Sequence, residues 1–240
     1  MPVASPAEQD YLKQIYLLLE DSGRATTQML ADRLGVKPPS VTAMVKRLSE
    51  DEGGPLVTHT PYHGVALTDR GVTVALEMLR HHRLIELFLS EILGVPWDRV
   101  HGEADRLEHV LSEDLEDRIA AKLGEPTHDP HGDPIPSREG VVPRRALERA
   151  ADLAPGESAV VKQITLQEQP VLQYLDSLDI RPGSKVMVES IAPFGGVVTL
   201  RVERPAGDWT SQPLGETLAG AILVESSDVA SGDLALVRAE

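Results

Sequence analysis

The 240-residue sequence has no cysteine. That absence removes disulfides, thiolate zinc sites, iron–sulfur clusters and a catalytic thiol together. Any metal must be held by nitrogen and oxygen donors, a set that suits hard and intermediate ions. Long hydrophobic runs are missing too: none approaches the roughly 20 residues that span a bilayer, and the start MPVASPAEQD lacks a basic segment leading into an apolar block. A cytoplasmic protein without a membrane partner is expected. Positive charge is in short supply, with a net charge of −15, which argues at first against nucleic acid, because phosphate binding is driven by Lys and Arg. What remains is ordinary: 41% hydrophobic and 25% charged residues describe a globular protein long enough for one large domain or two to three small ones.

The distribution of charge matters more than its total. Residues 1–73 carry 7 Lys and Arg against 9 Asp and Glu, so they contribute −2 and the remaining −13 lies beyond them. Between Arg33 and Ser49 stand Arg33, Lys37, Lys46 and Arg47 with no acidic residue. This is a small basic island in an acidic chain.

The chemistry concentrates in HGEADRLEH. As a helix it would place His101, Asp105, Glu108 and His109 on one face, at spacings of four, three and one. Imidazoles and carboxylates are first-shell ligands for a divalent cation, whose arrival relieves their mutual repulsion. One such His–carboxylate pair is more simply a solvated helix face. The segment upstream, RHHRLIELFL, repeats the pattern with His82 and Glu86 four apart, and two neighbouring helices so equipped favour metal. Asp10 has a plain explanation as a first-turn carboxylate complementing a helix dipole.

In chain order, residues 7–20 have helical apolar spacing at Leu12, Ile15, Tyr16 and Leu19; Thr26 or Thr27 caps a second helix that stops at Gly35; and PPSVTAMVKRL opens on prolines with Val41, Val45 and Leu48 inward. Helix, short glycine turn and helix bearing small polar and basic residues make a helix-turn-helix. LVTHTPYHGVALT reads as two strands around a turn at Pro61 to Gly64, the wing of a winged helix. A long helix over 71–93, apolar around most of its circumference, predicts a subunit interface. In LSEDLEDRIAAKLG, the residues Leu111, Leu115, Ile119 and Leu123 predict a buried stripe.

Residues 125–142, rich in Pro and Gly, read as a linker or irregular loop, in which His128 and His131 are loop histidines rather than ligands; RRALERAADLAPGE reads as a short helix. Beyond Glu157 the periodicity is two in SAVVKQITL, SKVMVESIA, GVVTLRVE and LAGAILVES, with LQEQPVLQYLDSLDI more helical between the first pair. Four or five such strands predict a small SH3-like β-barrel. The expected class is mostly α with a small β domain: a winged helix-turn-helix over 1–73, a helical metal-binding and dimerisation domain over 74–126, a linker over 127–152 and the barrel over 153–240.

The segments DYLKQIYLL, PPSVTAMVKRL, HRLIELFL, VHGEADRLEHVLS, GDPIP and LDSLDIRPGSKV, in this order, resemble the DtxR/MntR family of metal-dependent transcriptional repressors over nearly the whole chain, including members with a C-terminal SH3-like (FeoA-like) domain. The resemblance implies two metal sites per subunit. The primary site comprises Asp10, Asp105, Glu108 and His109; the ancillary site comprises His82, Glu86 and His101, with Glu168 from the barrel. Iron-type members have methionine in place of Asp10 and cysteine in place of Asp105, so carboxylates at both positions move the site toward manganese. The manganese type has Glu in place of Lys13, and barrel-containing relatives have a Gln ligand in place of Val171; this chain departs from both. Implied cofactors are Mn(II) first and Fe(II) second, with Zn, Co, Ni or Cd substituting in vitro. Implied partners are a second copy of the chain and a palindromic double-stranded operator, with no small-molecule substrate, no enzymatic activity and metal-uptake genes as targets. Thr27, Lys37, Pro39, Ser40, Thr42, Ala43, Lys46 and Arg47 are the expected DNA-facing residues. Three other readings stay open on the residues alone: a winged-helix regulator responding to a small organic ligand, a metallohydrolase, and a metal store or sensor that binds no DNA.

Overall fold

Helix α1 (Pro6–Ser22) begins where the Glu8 carboxylate folds back onto Ser5, accepting from its backbone N–H and from its hydroxyl, each at 2.7 Å. This capping arrangement takes the start-of-helix role from Asp10 and leaves the Asp10 carboxylate for other partners. The computed structural model describes residues 4–60, 64–194 and 196–226 and divides the chain into two compact units. One comprises the residues up to Gly94 with Val100–Thr127 and Pro134–Pro143; the other comprises Val95–Arg99, His128–Asp133 and the residues from Arg144.

In the first unit, Thr26 Oγ1 accepts the Met29 N–H at 3.2 Å and so starts α2 (Thr27–Leu34). Gly35 ends it in the left-handed conformation, φ 65°, which costs a glycine nothing. After this turn α3 (Pro38–Ser49) starts on proline and buries Val41, Val45 and Leu48 against Leu12, Ile15 and Leu30 of the preceding helices. Strands β1 (Val57–Thr60) and β2 (Gly64–Leu67) pair antiparallel, Val57 opposite Leu67. Residues 61–63 of the expected wing turn lie outside the described residues. Helix α4 (Asp69–Glu91) follows, with Thr68 Oγ1 accepting the Gly71 N–H.

At Gly71 α4 closely approaches the segment entering β1: a Cβ there would lie 2.0 Å from the Leu56 carbonyl oxygen. Backbone cannot yield as a side chain end can. Gly71→Ala is therefore expected to destabilise the metal-free protein by about 3 kcal/mol, measured by urea denaturation; an unchanged midpoint would contradict this packing.

Helix α5 (Val100–Leu107) tightens into a 3-10 turn at Glu108–Val110, and α6 (Glu113–Lys122) restarts on Ser112, whose Oγ accepts the Leu115 N–H. The break corrects two expectations. The 101–109 stretch is not one helical face, and the leucine stripe is not buried throughout: Leu115 is 48% exposed while Ile119 packs against Leu84 and Ile135. Restarting the helix at Glu113 turns Glu116 inward instead, onto Arg80 and His81.

The second unit is an antiparallel sheet in the order β3-β8-β4-β5-β6-β7. Its strands are β3 (Glu148–Arg149), β4 (Ser158–Ile164), β5 (Lys185–Ile191), β6 (Val197–Glu203), β7 (Trp209–Gly215) and β8 (Ile222–Ser226), with α7 (Gln169–Ser177) and the short α8 (Glu216–Gly220) between them. Val161, Val188, Leu200 and Ile222 fill its core together with Leu172 and Leu175 of α7. This is the expected small β domain, with three local corrections. RRALERAAD forms β3 and a 3-10 turn, Ala150–Asp152, rather than a helix, because Ala150 is drawn into the sheet's core. Leu218–Gly220 is helical rather than extended. Trp209–Gly215 is a strand that alternation does not reveal; it lies at the sheet edge, where Pro213 is tolerated. His131 is fully buried in this unit, its Nε2 2.9 Å from the Trp97 carbonyl and its ring tilted against the Trp97 ring. Among the described residues no helix is long and apolar enough to cross a membrane.

Candidate metal centre and nucleic-acid interface

Within the first unit α4 buries a polar run, His81, His82, Arg83 and Glu86, among its apolar neighbours. Burying that much polarity is tolerated only where every group finds a partner. His82 and Glu86 sit one turn apart, with His82 Nε2 3.0 Å from Glu86 Oε1, and α5 brings His101 Nδ1 to 3.0 Å from both atoms. Donors bound at about 2.1 Å around an octahedral ion lie about 3 Å from one another, so this triangle already has the dimensions of one face of a coordination shell.

A second cluster forms where α1 meets the 3-10 turn. Asp10 Oδ1 is 3.1 Å from His109 Nε2, which is 3.6 Å from Glu108 Oε1. His109 Nδ1 lies 2.8 Å from Gln9 Oε1, so a proton on Nδ1 is held by Gln9 and the Nε2 lone pair is aimed at Asp10. Asp105 stands between the clusters, its Oδ1 3.4 Å from His82 Nδ1 and its Oδ2 3.7 Å from His101 Nε2. Glu108 joins them as well: Oε2 meets His82 Nδ1 at 2.6 Å. A His82 bound to an ion through Nε2 would donate its Nδ1–H to Glu108, the usual outer partner of a metal-bound imidazole.

The electrostatics follow from burial against charge. Burial alone would depress the His82 pKa, yet Glu86 and Glu108 overcome it and push it up to about 9. Burial would raise Glu108, but hydrogen bonds and charge from His82 and Lys13 hold it below the ordinary carboxylate range. Asp10 goes the other way, raised by burial against the pull of His109 and Lys13. The Lys13 ammonium, 5% exposed, sits 2.5 Å from Glu108 Oε1 and 3.2 Å from Asp105 Oδ1.

Seven of the eight sequence-derived metal residues are thus gathered into two clusters in the first unit: Asp10, Glu108 and His109; His82, Glu86 and His101; and Asp105 between them. Glu168 stands exposed in the second unit at the N-cap position of α7. Helical spacing alone, which placed His101, Asp105, Glu108 and His109 around one ion, misses this division, because the 3-10 turn swings Glu108 and His109 away toward α1. Three supporting residues were also missed. Besides Gln9, His81 Nδ1 lies 3.1 Å from the Glu108 carbonyl oxygen while its Nε2 meets Glu116 at 3.0 Å, so α4 grips the turn by its backbone. Only the His81–His82 pair hinted at the first of these two; Glu116 had no signal at all.

On α3 and the turn before it, Lys37, Pro39, Ser40, Thr42, Ala43, Lys46 and Arg47 are all exposed, whereas Thr27, first residue of α2, is partly buried. Arg47 Nε is held at 2.8 Å by Glu8 Oε1, linking this helix to the start of α1 two residues before Asp10.

Residues 4–65 match the iron dependent repressor N-terminal DNA binding domain, residues 68–137 the iron dependent repressor metal binding and dimerisation domain, and residues 149–226 the FeoA domain. The chain is 36% identical over 199 residues to the iron-dependent repressor IdeR of Mycobacterium tuberculosis, a match covering 78% of this chain and 85% of that one. It is also 36% identical over 117 residues to the HTH-type transcriptional regulator MntR of Bacillus velezensis, covering 49% of this chain and 80% of that one. A solved manganese-dependent transcriptional repressor in complex with manganese superposes with a TM-score of 0.82 at 38% identity, covering 91% of this chain and 99% of the other. With its DNA-binding, metal-binding and FeoA segments in sequence and relatives spanning most of its length, the chain belongs to the iron-dependent repressor family.

Proposed function

We propose that this chain is a divalent-metal-dependent repressor that binds palindromic double-stranded DNA as a homodimer, with Mn(II) its physiological activator and Fe(II) second. The observation that supports it most is the half-buried carboxylate–imidazole cluster tying α1, which packs in the helix-turn-helix core, to α4 and the turn after α5. A bound ion supplies positive charge and fixed coordination at that junction. The chain's own residues do the rest. Asp10 carries α1, and Glu108 and His109 carry the turn, so drawing the three together sets how α1 and the recognition helix α3 stand relative to α4. Without the ion, Asp10 feels the negative charge of Glu108 and Asp105, while Lys13 and His82 hold those two carboxylates. Metal affinity and DNA affinity are then coupled by the same factor in both directions.

The donor set is oxygen and nitrogen throughout, with no sulfur at any of the seven clustered positions. Zinc, copper and nickel bind most such sites more tightly than manganese or iron, so preference rests on coordination number and metal supply rather than affinity.

The test titrates metal-free protein with Mn(II), Fe(II) and Zn(II) under metal-buffered conditions and selects bound sequences from random duplex DNA at each level. Palindromic sequences enriched only with metal, and lost in Asp105→Ala, are expected. Enrichment that ignores metal would leave a DNA-binding protein with a different effector, and a response to Zn(II) alone at physiological free levels would sink the choice of manganese. In the same assay Lys46→Ala is expected to weaken binding uniformly across sequences and to reduce the salt slope by about one phosphate contact, leaving Mn(II) affinity unchanged in the absence of DNA. A metal affinity that falls with it would place Lys46 elsewhere than on the DNA face.

A further inference from the structure

The Lys13 ammonium is seated inside the carboxylate cluster. It is buried, it contacts Glu108 Oε1 and Asp105 Oδ1 at 2.5 and 3.2 Å, and it reaches them from α1, one turn after Asp10. The same two carboxylates also face His82, at 3.4 Å from Asp105 and 2.6 Å from Glu108. The corner between Asp105 and Glu108 is therefore where a carboxylate-bridged ion would sit, and a lysine nitrogen already occupies it.

We propose that Lys13 is a built-in monovalent cation filling the position between Asp105 and Glu108, and that it holds this chain to two divalent ions per subunit. The inference rests on the metal-centre reading above. One ion would be held on the Asp10–Glu108–His109 side, sharing Glu108 with the lysine, and the other at His82–Glu86–His101, while the ammonium fills the further group of converging ligand atoms, His82–Asp105–Glu108. Charge balance points the same way. Four carboxylates (Asp10, Glu86, Asp105, Glu108) against two divalent ions and one ammonium leave a single positive charge. A third ion beside the ammonium would leave three such charges, with three cations, the ammonium among them, sharing Glu108. Lys13→Glu restores the balance differently: five carboxylates and three divalent ions again leave one positive charge. Lys13 is accordingly a specificity residue for ion number rather than a ligand.

The experiment uses the full-length, metal-free protein, equilibrium dialysis against Mn(II) with elemental analysis, and Mn(II) electron paramagnetic resonance. The wild type is expected to bind two ions per subunit and show no exchange-coupled pair. Lys13→Glu is expected to bind three and to show the coupled spectrum of two ions bridged by carboxylates about 3.5–4 Å apart. Lys13→Met, which keeps the apolar stem and supplies no ligand, is the second variant, and a third ion in either one supports the proposal. Two ions in the wild type and in both folded variants overturns it, as does a third ion or a coupled pair in the wild type. A wild type that binds no ion at all removes the metal centre itself, an outcome distinct from an ion count unmoved by the lysine.

Discussion

Glu108→Gln is expected to cost the metal-free protein about 4 kcal/mol of stability and to lower Mn(II) affinity by more than about 100-fold. Glu108 is 1% exposed and its two carboxylate oxygens serve different partners, Lys13 on Oε1 and His82 on Oε2. The amide keeps the shape and removes the charge. The Lys13 ammonium and the protonated His82 are then left buried with one counter-charge fewer, and breaking one side of a buried charged pair costs about 3–5 kcal/mol. That is a large share of the roughly 5–15 kcal/mol that holds a domain folded. The loss of metal affinity exceeds the 10–100-fold typical of outer-shell partners, since here a ligand itself is removed. Urea denaturation without metal and operator binding at buffered Mn(II) read the two effects separately. Stability reduced with Mn(II) activation intact would make Glu108 a structural acid only.

The metal-free protein is also expected to lose about 3 kcal/mol of stability as pH rises from 6.5 to 9. The sign comes from His82. Its folded pKa of about 9 stands above the ordinary 6.5, so the folded state holds a proton that the unfolded chain releases across that interval. A group raised in this way stabilises fully below its unfolded pKa and stops doing so once pH passes its folded value, at about 1.4 kcal/mol per unit. His81 is raised as well, by its hydrogen bonds to Glu116 and to the Glu108 carbonyl outweighing burial, and acts in the same direction. Glu108 and Glu116 are lowered, so their contributions are present above 4.5 and fade only in acid. The stability maximum of the metal-free protein should thus fall between about pH 4.5 and 6.5. Mn(II) binding at His82–Glu86–His101 has the opposite slope, because the ion there must displace the proton on His82, and its apparent affinity should climb with pH until about 9. Urea midpoints from pH 5 to 9.5, for the wild type and His82→Gln, check the first claim. An equal slope in both would remove His82 as its source.

Much of this arrangement is legible in the residues because it repeats at helical spacing. His82 with Glu86, and His101 with Asp105, are pairs four apart on helices that do form. Legibility fails where a local tertiary constraint overrides the period. After Leu107 the backbone tightens to three residues per turn, gripped by His81 through the Glu108 carbonyl, and no periodicity announces a hydrogen bond between residues 27 apart. Lys13 shows the same limit: in sequence it is a polar position on an amphipathic helix, and its burial depends on carboxylates more than 90 residues away. In the sheet, β7 escapes notice because an edge strand hydrogen-bonds on one side only and so admits Pro213 and polar residues that an interior strand would reject. His131 looks like a loop residue by its Pro and Gly neighbours, yet its ring is packed beside Trp97.

Helix α4 has the proportions of a lever arm. It is anchored to the segment entering the wing by the Thr68 N–H on the Leu56 carbonyl and by the close approach of Gly71 to Leu56, and its polar run at His82 and Glu86 lies some 20 Å further along, at about 1.5 Å per residue. No proline interrupts it, so the span is stiff. A rotation of about 5° at the histidine end displaces the wing end by about 2 Å, which is enough to move a contact to duplex DNA from within hydrogen-bonding reach to beyond it. Sub-ångström adjustments around an ion are in this way magnified by geometry alone, and softening the rod between Val72 and Leu79 would blunt the response while leaving both of its ends chemically intact.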